Sequence, residues 1–197
     1  MQLRNVAIYI FDEVEVLDFC GPFEVFSVTG RSDGLQPFNV YTVAQEAQSV
    51  SARGGLSINP RYSFADCPRP DILVIPGGRG TRQELQKQEV LDWVNGRAVE
   101  SELVLSVCTG SLILGQAGLL DGLTATTHHL ALDEFQQLAP GAKLDASQRF
   151  IDNGKIVTSA GISAGIDMSL HIVARLLGID RALETARYME YVWSEGL

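Results

Sequence analysis

Four apolar runs of strand length constrain this chain more than anything else in it: residues 6–11, 38–43, 72–75 and 103–107. They are continuous rather than alternating, which is the pattern of strands buried on both faces; a strand with one wet face alternates apolar and polar side chains. Amphipathic segments lie between them, notably residues 23–28, 89–99 and 112–117. Strand and helix in alternation, joined by right-handed crossovers, predict an α/β sandwich with a mostly parallel central sheet. One antiparallel piece is expected. Asp152-Asn153-Gly154-Lys155 stands between Phe150-Ile151 and Ile156-Val157, and Asn-Gly accepts the positive φ of a type I′ hairpin turn. Farther on, Ile166, Leu170, Val173 and Leu177 recur at helical spacing over residues 163–177, Gly178 stops that helix, and a last helix is expected over 181–189.

With 197 residues, 46% hydrophobic and 20% charged, one domain spanning 1–197 buries enough surface to need neither disulfides nor metal. Fifteen Lys and Arg against 24 Asp and Glu give a formal charge of −9, the wrong sign for a protein whose affinity comes from neutralising phosphates. Nucleic acid and acidic membrane surfaces are therefore excluded as partners. No apolar stretch reaches the roughly eighteen residues of a membrane span, and Met1-Gln2-Leu3-Arg4-Asn5 enters a strand-like run without a signal-peptide pattern. The expectation is a soluble, cytoplasmic protein. Cys20, Cys67 and Cys108 are odd in number and far apart, which fits a reduced compartment with at most one chemical thiol. The patch Cys67-Pro68-Arg69-Pro70 is too short for a linker and reads as a loop.

In an open parallel sheet, ligands collect at the carboxyl ends of the strands, and three of the loops there carry unusual residues. The run 103–107 leads straight into Cys108-Thr109-Gly110-Ser111 and then a helix, placing a cysteine at a strand-to-helix bend. There, amides of the first helical turn would lower the thiol's pKa and favour a nucleophilic thiolate; the bland counterpart is a buried, inert cysteine. The second loop, Ile75-Pro76-Gly77-Gly78-Arg79-Gly80, is either an anion-facing nest of amides or a plain tight turn. It has neither the Lys-Ser/Thr ending of a P-loop nor dinucleotide spacing. In the third, Asp18 either caps a helix starting near Gly21-Pro22 or points into a cleft beside Cys108, where desolvation would raise its pKa and make it a proton donor.

Among the histidines, His128 follows Thr124-Ala125-Thr126-Thr127 and is a candidate accessory site residue, though nothing in the sequence sets it beside Cys108. His171, between Leu170 and Ile172, reads as structural, and Asp167 as a favourable charge at a helix N-terminus. No His, Cys, Asp or Glu cluster has metal-ligand spacing, so no metal is expected; chemistry carried by a cysteine and water would need no cofactor either.

Five segments occur in order: Leu17-Asp18-Phe19-Cys20-Gly21-Pro22; Pro76-Gly77-Gly78; Ser106-Val107-Cys108-Thr109-Gly110-Ser111 with Ala117-Gly118-Leu119-Leu120; Ala125-Thr126-Thr127-His128; and Gly161-Ile162-Ser163-Ala164-Gly165-Ile166-Asp167. Together they resemble the ThiJ/PfpI superfamily and, within it, the isocyanide hydratase branch, across essentially the whole chain. The resemblance implies a flavodoxin-like three-layer sandwich of the class I glutamine amidotransferase type and a homodimer. It also implies a nucleophilic Cys108, an acidic Asp18 contacting it, and an anion pocket from the amides of Gly78 and Thr109. The chain has Cys108-Thr109-Gly110 where the protease-like branch has Cys-His-Gly, and His129 where a Trp often follows Thr-Thr-His. Sensor halves of AraC-type regulators resemble it too; they carry a DNA-binding domain after this fold, and Leu197 follows soon after the last helix expected here.

The activity this resemblance implies is hydration of an isocyanide to an N-substituted formamide through a covalent thioimidate on Cys108. The alternatives are a glyoxalase-like enzyme acting on small aldehydes and a cysteine-based redox or ligand sensor without turnover. Val14, Val16, Phe19 and Phe23, around the first helix, suit either a dimer interface or ordinary core packing.

Overall fold

The computed structural model describes residues 2–194. Its strands are β1 (Arg4–Tyr9), β2 (Phe38–Ala44), β3 (Val50–Ser51), β4 (Ser57–Ile58), β5 (Tyr62–Ser63), β6 (Ile72–Ile75), β7 (Leu103–Val107), β8 (Thr124–Ala125), β9 (Lys143–Leu144), β10 (Phe150–Asp152) and β11 (Ile156–Ser159). Seven of them form one sheet in the order β10-β11-β7-β6-β1-β2-β5. Every pairing in that sheet is parallel except β10 with β11. The residues of β6 and β7 are all buried, as strands covered on both faces must be.

The helices are α1 (Val16–Val28), α2 (Thr81–Glu84), α3 (Gln88–Glu100), α4 (Gly110–Gln116), α5 (Leu132–Leu138), α6 (Ala164–Leu177) and α7 (Ile179–Tyr188). α1, α6 and α7 pack together on one side of the sheet, and α4 joins α2, α3 and α5 on the other. The result is the expected three-layer flavodoxin-like α/β sandwich. The chain runs outward from β1 to β2 and returns to β6 on the opposite side of β1, so the strand order reverses between β1 and β6. Outside the carboxyl ends of those strands an open α/β sheet leaves a crevice.

Several boundaries differ from the sequence reading. β1 begins two residues earlier than expected, and Ile10 and Phe11 continue as buried loop. α1 begins at Val16, with Pro22 inside it, so Gly21-Pro22 is not a helix start. Gly154 takes φ +87° while Asn153 stays out of the left-handed region, so the β10–β11 turn is not type I′. α7 starts at Ile179, directly after Gly178. Val14 and Phe19 belong to the chain's own core, which leaves only Val16 and Phe23 of the four suggested interface residues partly exposed. Among the described residues, no helix is long and apolar enough to cross a membrane.

Candidate active site

β7 ends at Val107, and Cys108 turns the chain with φ +57° before α4 opens at Gly110. A left-handed φ at a residue with a Cβ costs on the order of 1–2 kcal/mol and persists only where its surroundings hold it. Here the Cys108 N–H donates to the carbonyls of Ser159 and Ala160, both at 3.1 Å. The Cys108 carbonyl accepts from the hydroxyls of Thr127 at 3.1 Å and Ser111 at 3.2 Å. Gly110 permits the close return of the helix, since a Cβ there would stand 2.0 Å from the Ile75 carbonyl oxygen. The elbow anticipated in the sequence is therefore formed, and the thiol at its apex is almost wholly buried.

Asp18 does not cap a helix. It lies inside the first turn of α1, fully buried, while the N-cap position is taken by Glu15. Its Oδ2 accepts from the Gly77 N–H at 3.0 Å, and its Oδ1 has no partner at full hydrogen-bond geometry. The Cys108 thiol faces the same carboxyl in a looser contact, close enough for the two groups to govern each other's titration. Burial pushes the carboxyl up to about 7, against the opposing pull of the Cys108 thiol and of the Gly77 and Ile162 N–H groups.

Burial, followed by the charge of Asp18, pushes the thiol up to about 12. The sequence reading expected the helix amides to lower it. The N–H groups of Thr109 and Ile162 do act in that direction, but desolvation and the neighbouring carboxylate outweigh them, and α4 has only seven residues. In the resting pair the proton stays on sulfur. Asp18, a stronger base than an ordinary aspartate, is the group placed to receive it.

The loop after β6 supplies the opposite wall. Gly77 fits against both partners: a Cβ there would lie 2.5 Å from the Thr109 nitrogen and 2.8 Å from Asp18 Oδ2. Gly78 has φ +131° and bridges to Val14, with no room for a side chain. Thr109 Oγ1 accepts the Gly78 N–H at 3.0 Å and lies 3.2 Å from the Gly78 carbonyl, so this hydroxyl fastens the diglycine turn. The Gly78 amide, expected to face an anion, already has an acceptor.

A cavity of about 240 Å³ opens over the thiol, lined by Cys108, Gly78, Thr109 and His128 among others. His128, unplaced by the sequence, thus comes into the site. Its Nδ1 accepts from the Leu130 N–H at 3.2 Å, which leaves the proton of the neutral ring on Nε2. Burial and then the neighbouring His129 lower its pKa, so it is neutral near pH 7. Its ring lies over Gly161, where a Cβ would come 2.1 Å from Cδ2.

Ile162 was missed in sequence, although it turns with φ +56°, a severe outlier for a β-branched residue, and presents its N–H to both Cys108 and Asp18. Arg53, Arg79 and Arg82 also reach this cavity, and only the fold brings them together. Elsewhere, His171 meets Asp152 at 2.8 Å on the α6 surface. Asp167 stands in the first turn of α6, as read, and also accepts from Arg149 Nε at 2.7 Å and the Tyr191 hydroxyl at 2.9 Å. Cys20 and Cys67 are free thiols outside the cavity lining.

Residues 4–175 match the DJ-1/PfpI family. The chain belongs to that family. Isonitrile hydratase of Pseudomonas putida is 35% identical over 187 residues, spanning 95% of this chain and 78% of that protein. The HTH-type transcriptional regulator GbdR of Pseudomonas aeruginosa is 26% identical over 172 residues, which cover 87% of this chain but 46% of the regulator. A ThiJ/PfpI family protein from Pseudomonas syringae superposes with a TM-score of 0.87 at 32% identity, covering 97% of this chain and 76% of that one. Drosophila melanogaster DJ-1beta superposes with a TM-score of 0.83 at 19% identity, covering 98% of this chain and all of that one, a likeness of fold. DJ-1/PfpI relatives thus include both an enzyme and regulators.

Proposed function

We propose that this DJ-1/PfpI protein hydrates a small isocyanide to the corresponding N-substituted formamide, with Cys108 as nucleophile and Asp18 as proton carrier. The observation that supports it most is the pairing of a strained, buried Cys108 with a buried Asp18 whose carboxyl titrates at about 7. The 35% identity to an isonitrile hydratase points the same way.

In the first half-reaction the thiol proton passes to Asp18 as sulfur attacks the terminal isocyanide carbon. That carbon takes the proton back from Asp18, giving the thioimidate R–N=CH–S–Cys108. Water then adds to the same carbon, losing a proton to Asp18, which passes it to the nitrogen; as the hydroxyl adduct collapses, its remaining hydroxyl proton goes through Asp18 to the departing sulfur, leaving R–NH–CHO and the Cys108 thiol restored. Atoms and charge balance with water as the one co-reactant. The Thr109 and Ile162 N–H groups steady the sulfur as it acquires and sheds charge. His128 Nε2–H is a further donor within the same cavity. The Gly78 amide serves as a donor once it shares its hydrogen with substrate instead of Thr109 Oγ1 alone.

The test is conversion of an aryl isocyanide to its formamide, followed by ultraviolet absorbance, in the native protein, Cys108→Ala and Asp18→Asn. Turnover abolished by the first substitution and strongly reduced by the second supports both roles. Absence of turnover from folded protein whose Cys108 still alkylates overturns the reading in favour of an aldehyde-acting enzyme or a sensor. A homodimer belongs to the same proposal, with the partly exposed Val16, Leu17 and Phe23 of α1 as its apolar face, and sedimentation analysis tests it.

A further inference from the structure

We infer that the substrate carries a carboxylate, received by Arg79 with Arg53 at the mouth of the Cys108 cavity; the isocyanide part of this inference rests on the function proposed above. The chain has 15 Lys and Arg and a net charge of −9, yet Arg53, Arg79 and Arg82 line this one cavity against Glu15 as the one acidic lining residue. Two carboxylates behind the lining, Glu134 and Glu13, pair with Arg82 and Arg53, and none pairs with Arg79 among the described residues. His128 is neutral, and Asp18 lies behind the thiol, fully buried.

The three guanidinium groups differ in how far they are engaged. Arg82 is committed: its Nε donates to Glu134 at 3.0 Å, its Nη2 forms the second half of that pair, and its Nη1 lies 3.3 Å from the Gly78 carbonyl. Arg53 is loosely held, 3.6 Å from Glu13 and 3.9 Å from Glu15. Arg79 is exposed and, among the described residues, has neither a carboxylate partner nor a side-chain hydrogen bond.

An isocyanide is uncharged, so its hydration alone asks for no cation at the rim. A guanidinium fork matches a carboxylate in two parallel hydrogen bonds, and within a partly enclosed cavity that pairing is stronger than in open water. The apolar lining of Leu130, Ala131 and Ile162 then covers the short carbon link between the two ends of the molecule. The class implied is a small isocyano acid, with its terminal carbon at Cys108 and its carboxylate at the arginines.

Two measurements separate this inference from the hydratase reading. The first needs no turnover: the rates at which iodoacetate and iodoacetamide alkylate Cys108, followed by peptide mass and referred to the same ratio for free N-acetylcysteine. The native protein is expected to favour the anionic reagent by about three- to fivefold, the size of a part-exposed ion pair, and Arg79→Gln or high salt to remove most of that preference. A ratio equal to that of the free thiol, or one unchanged in Arg79→Gln, overturns the inference.

The second measurement compares kcat/KM for isocyanoacetate and its methyl ester. A preference for the acid that shrinks in Arg79→Gln supports the inference. Equal or better turnover of the ester overturns it and leaves the hydratase intact. Turnover of the aryl isocyanide but of neither of these compounds overturns the inference and leaves the hydratase intact; turnover of none of the three overturns the hydratase, and the alkylation ratio then decides the anion site by itself.

Discussion

Asp18, in the first turn of α1, and Cys108, at the apex of the β7–α4 elbow, share one buried pocket in which burial raises the carboxyl to about 7 and the thiol to about 12. The thiol gives up its proton only to an ionised Asp18, so the active form is the one with the carboxylate free. For native protein, kcat/KM is expected to rise with pH through about 7 and then level off, with no alkaline fall until the thiol itself titrates. Asp18→Asn is expected to lower kcat by about 10²–10⁴-fold and to abolish the acid limb, which pH profiles of the two proteins would reveal.

The same carboxyl makes a stability prediction of opposite sign. Native Asp18 keeps its proton up to about pH 7, whereas the unfolded chain loses it near 3.8, so unfolding releases a proton between those values. Stability therefore falls as pH rises through that window. The full effect is up to about 4 kcal/mol, as an order of magnitude. The amide introduced by Asp18→Asn keeps an oxygen for the Gly77 N–H and carries no charge. Urea unfolding is expected to show this variant more stable than native protein at pH 8, with the gap closing by pH 4. A variant that is less stable at both pH values would show that the buried charge is not the cost proposed here.

Gly77 separates positioning from chemistry. A Cβ there would press on the Thr109 nitrogen at 2.5 Å and on Asp18 Oδ2 at 2.8 Å, and backbone atoms yield little. Gly77→Ala is expected to fold with a loss of about 1–3 kcal/mol, as overpacked cores do, while kcat falls at least tenfold because Asp18 is displaced from the thiol. Its acid limb should move away from pH 7, since the carboxyl loses its present environment. Unchanged kcat with the stability loss alone would place Gly77 outside the positioning of Asp18.

Much of the fold was readable because its strands are buried on both faces: β6 and β7 start and stop where their apolar runs do. Pro22 misled. Proline usually opens a helix, yet here it sits within α1, where it withholds the N–H that the Asp18 carbonyl would otherwise accept. Asp18 consequently lies deeper in the helix than a cap, and its approach to Cys108 is a property of the strand order rather than of either local sequence. Cys108 and the diglycine loop were legible from their strand-end positions. Ile162 was not, because a β-branched residue carries no sign that its φ will be positive. Arg53 and Arg79 were invisible for a simpler reason: each is an ordinary surface arginine until the β3–β4 connection and the loop after β6 bring them to one rim.

Thr109 supplies the last prediction, because its hydroxyl and its backbone do different work. The hydroxyl holds the Gly78 N–H at 3.0 Å in a buried setting, whereas the Thr109 N–H serves the sulfur of Cys108. Thr109→Val keeps the shape and the backbone donor but strands the Gly78 amide, an omission that costs about 1–3 kcal/mol when no water replaces the lost acceptor. Thr109→Ser retains the acceptor and is expected to stay within about 1 kcal/mol of native protein in urea unfolding. If the Gly78 amide is a donor to substrate, Thr109→Val frees it, so the valine variant should lose stability yet keep much of its kcat, while KM changes little. A valine variant as stable as the serine one would mean that Thr109 does not fasten the turn.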